Sequence, residues 1–157
     1  MAAVDIGITE NARSSVAEAL NSTLADTYTL YMKTHAYHWN VTGPQFHTLH
    51  VMFEEQYNEI WTALDEIAER VRALGVFAPT SGKQFAELSA IENADASPPP
   101  ATTMVETLLS DHETLIKRAR DGLAIAEEAG DAASADLLTV RIQIHEKTAW
   151  MLRSMTQ

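Results

Sequence analysis

Cysteine is absent from the 157 residues, which excludes disulfides, thiolate metal sites, iron–sulfur clusters and cysteine nucleophiles. That absence fits a reducing, cytoplasmic setting. Glycine and proline are scarce, at six and five residues. They cluster at Gly43-Pro44, between Gly75 and Gly82, at Pro98-Pro99-Pro100 and at Gly130, leaving runs far longer than ordinary strands. No stretch reaches the roughly 18–20 consecutive apolar residues of a membrane span. The opening MAAVDIGITENAR has neither the basic start nor the apolar block of a secretory signal. Basic side chains are also few: 11 Lys and Arg face 22 Asp and Glu, for a formal charge of -11. This surplus predicts repulsion from nucleic acid. Whether it serves solubility or attracts cations depends on where the carboxylates lie. The 46% hydrophobic and 21% charged content suits one globular domain over residues 1–157 with a real core. A short flexible tail is expected over about residues 1–9.

Between the breaks the pattern is helical. From about Glu10 to Asn40, Val16, Leu20, Leu24, Tyr28 and Tyr31 recur at helical spacing. A second helix is expected from Pro44, a favoured first helical residue, to about Leu74, with Gly75 as its stop. After the proline triplet, Thr103-Met-Val-Glu106 reads as a capping box, and Leu108, Leu115, Ala119 and Leu123 form an apolar stripe. A fourth helix, from about Asp131, carries Leu137, Leu138, Ile144, Met151, Leu152 and Met155. Lys83 to Leu88 reads as a short helix within the long connection between the second and third. Four amphipathic helices with one long crossover match the all-α, ferritin-like four-helix bundle.

The chemistry concentrates between His35 and Glu69. Four of the six histidines, His35, His38, His47 and His50, flank the Gly-Pro break. His50 with Glu54, and Asp65 with Glu69, are spaced i,i+4, which puts each pair on one helix face. Imidazole with carboxylate suits iron, zinc or manganese. The plainer alternative is a solvated acidic face whose carboxylates form ion pairs with Arg70 and Arg72. Glu54 and Asp65 lie ~16 Å apart along a straight helix, whereas a metal reaches its ligands at ~2.0–2.2 Å. The two pairs therefore cooperate only if a second copy supplies one of them, which an isologous two-fold interface does automatically. Glu-x-x-His, the signature of an intrachain di-iron bundle, occurs nowhere.

The stretches HWNVTGPQFHTLH (His38 to His50), FEE from Phe53, LDEIAERVRALG (Leu64 to Gly75) and IHEKTAWMLRS (Ile144 to Ser154) resemble the Dps family of small ferritins. The resemblance implies a hollow dodecamer that oxidises ferrous iron, preferably with hydrogen peroxide, and stores the ferric mineral. It places His38, His50 and Glu54 of one subunit opposite Asp65 and Glu69 of its two-fold partner as catalytic and metal-binding residues. Glu54 stands where the family most often has aspartate, and Gly75-Val76 where it has Gly-Gly. Zinc or other divalent ions are expected to compete for the site. The resemblance also puts Trp39 near the site, Glu55, Glu59 and Glu66 on a helix that partly faces the cavity, and Asp131 and Asp136 at entry pores. Packing, ion pairing such as Glu66 with Arg70, and a helix cap at Asp131 are the respective alternatives. His47 is assigned to packing or a turn hydrogen bond, His112 and His145 to the surface or subunit contacts, and His35 to a supporting place behind His38.

Competing functions stay open. DNA compaction in this family generally uses a basic tail, but residues 1–13 hold Asp5 and Glu10 against Arg13, and only Arg153 follows Trp150. Weak or absent DNA binding is expected, with nucleoid association left open. A non-catalytic helical shell is a further reading, and a metal-dependent hydrolase a third. No membrane partner is expected.

Overall fold

The computed structural model describes residues 4–156. Five helices run in the order α1 (Glu10–Asn40), α2 (Phe46–Ala73), α3 (Gly82–Leu88), α4 (Ala101–Glu128) and α5 (Ala132–Ser154). No strand occurs among the described residues. No described helix is long and apolar enough to cross a membrane.

Short turns make α1–α2 and α4–α5 antiparallel hairpins, and the long crossover carrying α3 joins them. Helix α1 lies against both α2 and α4, with α3 across it, so it is covered on more than one face. It therefore buries polar residues as well as Val16, Leu20, Leu24 and Leu30. Thr23, Thr27 and Thr34 satisfy their hydroxyls by donating to the carbonyls of Ala19, Thr23 and Leu30. Phe53, Ile60 and Ile67 of α2, Leu108 and Leu115 of α4, and Leu138 and Leu152 of α5 complete the core. Burying each such side chain stabilises the fold by about 1.5–3 kcal/mol relative to exposure.

The helix ends differ from expectation in instructive ways. Thr9 caps α1 by accepting from the Ala12 N–H at 3.3 Å. Helix α2 starts at Phe46 rather than Pro44, because Pro44 and Gln45 form a turn after Gly43. Helix α4 starts at Ala101, so Thr103 and Glu106 lie inside it and form no capping box. Pro100 precedes it without a side-chain cap, and its carbonyl already accepts from the Met104 N–H at 3.0 Å. Gly75 ends α2 as expected. At φ +90° it donates to the Arg72 carbonyl, and the Val76 N–H reaches back to Val71. A Cβ at Gly75 would stand 2.8 Å from Val4 Cγ2. The expected tail over about residues 1–9 falls partly outside the described residues, but Val4 packs at this turn and the Ile8 carbonyl accepts from Arg13.

Candidate metal centre

Helix α1 stops where Val41 turns extended, and Gly43, at φ +108°, reverses the chain. This hairpin sets His38 opposite His50. The His38 Nδ1–H donates to the His50 carbonyl at 2.7 Å, and the His50 Nδ1–H donates to the His38 carbonyl at 2.8 Å. The His38 carbonyl is available because the last carbonyls of a helix have no partner within it. A carbonyl only accepts, so both rings carry a proton on Nδ1, and the neutral form of each ring has its lone pair on Nε2. The rings stack 3.8 Å apart at 16°. His38 is buried, and His50 is half-buried with Phe46 against it, ring centroids 5.1 Å apart. The arrangement fixes tautomer and orientation before any ligand arrives, as partners behind metal-binding imidazoles do.

Glu54, one turn beyond His50, is exposed, as are Asp65 and Glu69 farther along α2. The arginines that could have neutralised them are engaged elsewhere. Arg70 pairs with Asp131 at 2.7 Å and donates to Ser134 Oγ at 2.8 Å. Arg72 donates to the Val76 carbonyl at 2.9 Å and lies over the Phe77 ring at 4.3 Å. Glu54, Asp65 and Glu69 thus have no ion-pair partner among the described residues. Asp65 borders a largely apolar groove of about 630 Å³ lined by Leu24, Tyr28, Trp61 and Phe85, and Trp61 is 59% exposed. Within one chain, no group of three or more His, Asp or Glu converges on a point that could hold a metal, among the described residues.

Behind His38 lies a layer of aromatic rings. His35 stacks on Tyr57 at 3.8 Å and its Nδ1 is 3.1 Å from the Tyr31 hydroxyl. Burial, aided by His38, lowers the pKa of His35 below its ordinary value. Its neutral ring supports the His38 side of the hairpin. Trp39 is 60% exposed, its ring 4.2 Å from that of His35.

Several other residues lie in unexpected places. His47 is exposed in the first turn of α2 and makes no hydrogen bond among the described residues, so the packing or turn role does not hold. Asp131 is 1% exposed and caps α5, accepting from the Ser134 N–H at 3.1 Å. Burial works to raise its carboxyl pKa, but bonds from Ser134 and Arg70 outweigh it and hold it below the usual range. It acts as a cap and ion-pair anchor, while Asp136 is exposed. Glu59 is paired with Arg141, whereas Glu55 and Glu66 are exposed, and Glu66 makes no pair with Arg70.

The largest departure is His112 and His145, which are 1% and 0% exposed, not at the surface. They belong to a buried polar belt that spans all four long helices. Lys33 of α1 pairs with Asp111 of α4 at 2.7 Å, His112 of α4 meets His145 of α5 at 2.9 Å, and Arg141 of α5 grips Glu59 of α2. The signal was present in the sequence. Lys33 falls between Leu30 and Tyr37, His112 between Leu108 and Leu115, and His145 between Leu138 and Leu152, each on an apolar stripe.

Comparisons with known proteins agree with this architecture. The ferritin-like domain family matches residues 17–157. The chain is 42% identical to an uncharacterized low temperature-induced protein of a Nostoc species over 158 aligned positions, covering 100% of this chain and 88% of that protein. It is 42% identical to DNA protection during starvation protein 2 of Bacillus anthracis, covering 88% of this chain and 94% of that protein. The crystal structure of the Dps protein of Vibrio cholerae O1, described as one of the ferritin-like diiron-carboxylate proteins, superposes with a TM-score of 0.94 at 30% identity. That match covers 100% of this chain and 99% of the other. Sequence, fold and hairpin geometry lead to one assignment: the chain belongs to the Dps family of ferritin-like proteins.

Proposed function

We propose that this protein oxidises ferrous iron and stores the ferric product inside a hollow dodecameric shell, protecting the cell from iron and peroxide together. Its sites are closed between copies: His38, His50 and Glu54 of one subunit meet Asp65 and Glu69 contributed by a two-fold copy. The observation that carries this reading is the reciprocal His38–His50 clamp, which presents two Nε2 lone pairs side by side. Three further features support it. The carboxylates have no arginine partners, no one-chain cluster closes a site among the described residues, and Asp65 borders an apolar groove that a second copy would cover.

Iron is the substrate. Hydrogen peroxide is the preferred oxidant of the reading: two ferrous ions each give one electron, and peroxide with two protons becomes two waters. Oxidising the ions as a pair thus avoids a one-electron hydroxyl radical. Histidine with carboxylate also binds zinc, generally more tightly than ferrous iron, so zinc should inhibit.

Replacing His38 by Ala, and separately Asp65 by Asn, tests the proposal against an inert shell. Both variants should assemble to native size in solution and lose rapid peroxide-dependent iron oxidation. Wild-type rates in both would refute the assigned site.

A further inference from the structure

A cavity of about 390 Å³ opens between α2, α4 and α5, lined in part by Gln56, Ile60, His112, Ile144 and Lys147. Two of its lining residues each carry a buried polar atom, His112 Nε2 and Gln56 Oε1, that has no hydrogen-bond partner among the described residues. The belt determines what each offers. Arg141 donates to His145 Nε2 at 3.0 Å, so that nitrogen accepts. Burial, with His112 and Arg141 nearby, keeps His145 well below its ordinary pKa, and burial, then Arg141, pushes His112 down to about 3, so both rings are neutral. A neutral His145 that accepts at Nε2 carries its proton on Nδ1 and donates it to His112 Nδ1, 2.9 Å away. His112 in turn carries its proton on Nε2, on the ring edge away from His145. The relay is polarised from Arg141 outward and ends in an N–H donor, with the acceptor Gln56 Oε1 in the same lining.

We propose that this cavity is a binding site for a small neutral hydroxylic molecule, which accepts from His112 Nε2–H and donates to Gln56 Oε1. Water fills it in the resting protein and exchanges with larger members of the class, of the size of hydrogen peroxide or a two-carbon diol. The lining carries no net charge to hold an ion: Glu55 is offset by Lys147, and Glu59 is held by Arg141. A metal cation also meets a proton at Nε2 rather than a lone pair. Size permits more than water, because one water occupies about 30 Å³ of liquid. The site does not depend on the iron reaction.

Crystals of the metal-free full chain test this directly, unsoaked and soaked separately in ethylene glycol and in hydrogen peroxide. An oxygen should lie within about 2.7–3.2 Å of His112 Nε2 in the unsoaked crystal. Diol or two-oxygen peroxide density should replace it in the soaks, and Gln56→Leu, which leaves the relay intact, should lose the soaked density. The proposal fails if no oxygen approaches Nε2, if a protein group of the assembly occupies that position, or if neither soak displaces the water.

Discussion

If each reactive site is built from two half-sites on different copies, two inactive variants should restore one another when co-assembled. One variant carries His38→Ala with His50→Ala; the other carries Asp65→Asn with Glu69→Gln. Alone, each lacks half of every site and should be inactive. The half-sites on one α2 lie ~16 Å apart along its axis, far beyond a coordination distance of ~2.2 Å, so one chain cannot compensate for itself. In an equal mixture, half of the two-fold pairs are mixed. In each mixed pair one site combines both damaged halves, while the other combines both intact halves. About a quarter of wild-type peroxide-driven oxidation should therefore return. The rate would be followed by ferric absorbance and normalised to the mixing measured by native mass spectrometry. No recovery in shells shown to be mixed would refute the shared site, as would substantial activity in either variant alone.

Other outcomes follow from the same structure. His112 and His145 stay neutral in the fold, faced by Arg141 from α5 while Glu59 of α2 holds that arginine. Their folded pKa values lie below the unfolded ones, so the unfolded chain takes up more protons on acidification. Their contribution to stability should be flat above about pH 7 and decline from about pH 6.5 toward 3, each ring adding up to about 1.4 kcal/mol per pH unit. In denaturant titrations across that range, His112→Phe should show a shallower decline, and an unchanged slope would contradict the assignment. Gly75→Ala should lower the apparent melting temperature through a cost of about 1–2 kcal/mol for the left-handed dihedral, plus the contact with Val4. Adding Val4→Ala should recover only the contact part, so full recovery would exclude backbone strain. Gel shifts with plasmid should show no retention at moderate salt, since Arg13 is tied to the Leu74 and Ile8 carbonyls. Tight retention there would overturn the charge argument.

Local chemistry was legible in the sequence wherever the causes are themselves local. Apolar periodicity located all four long helices and Gly75 the stop of the second, and the Gly-Pro break between His38 and His50 marked where the first two helices part. The i,i+4 pairs on α2 followed from helical rise alone. Partner choice was not legible, because periodicity says that a polar residue faces inward without saying which neighbouring helix meets it. Arg70 lies one residue from Glu69 yet pairs with Asp131, 61 positions away, so the residue that caps α5 is also a buried ion-pair anchor. His112 and His145 read as surface residues when taken singly. Only the packing of α4 on α5 made them one neutral, hydrogen-bonded unit, since burial costs a lone charged imidazole more than a shared proton does. Residue types and rise per residue thus supplied the two half-sites and the distance that separates them. Tertiary packing decided the tautomers, the engaged arginines and the cavity, because these depend on contacts between segments far apart in the chain.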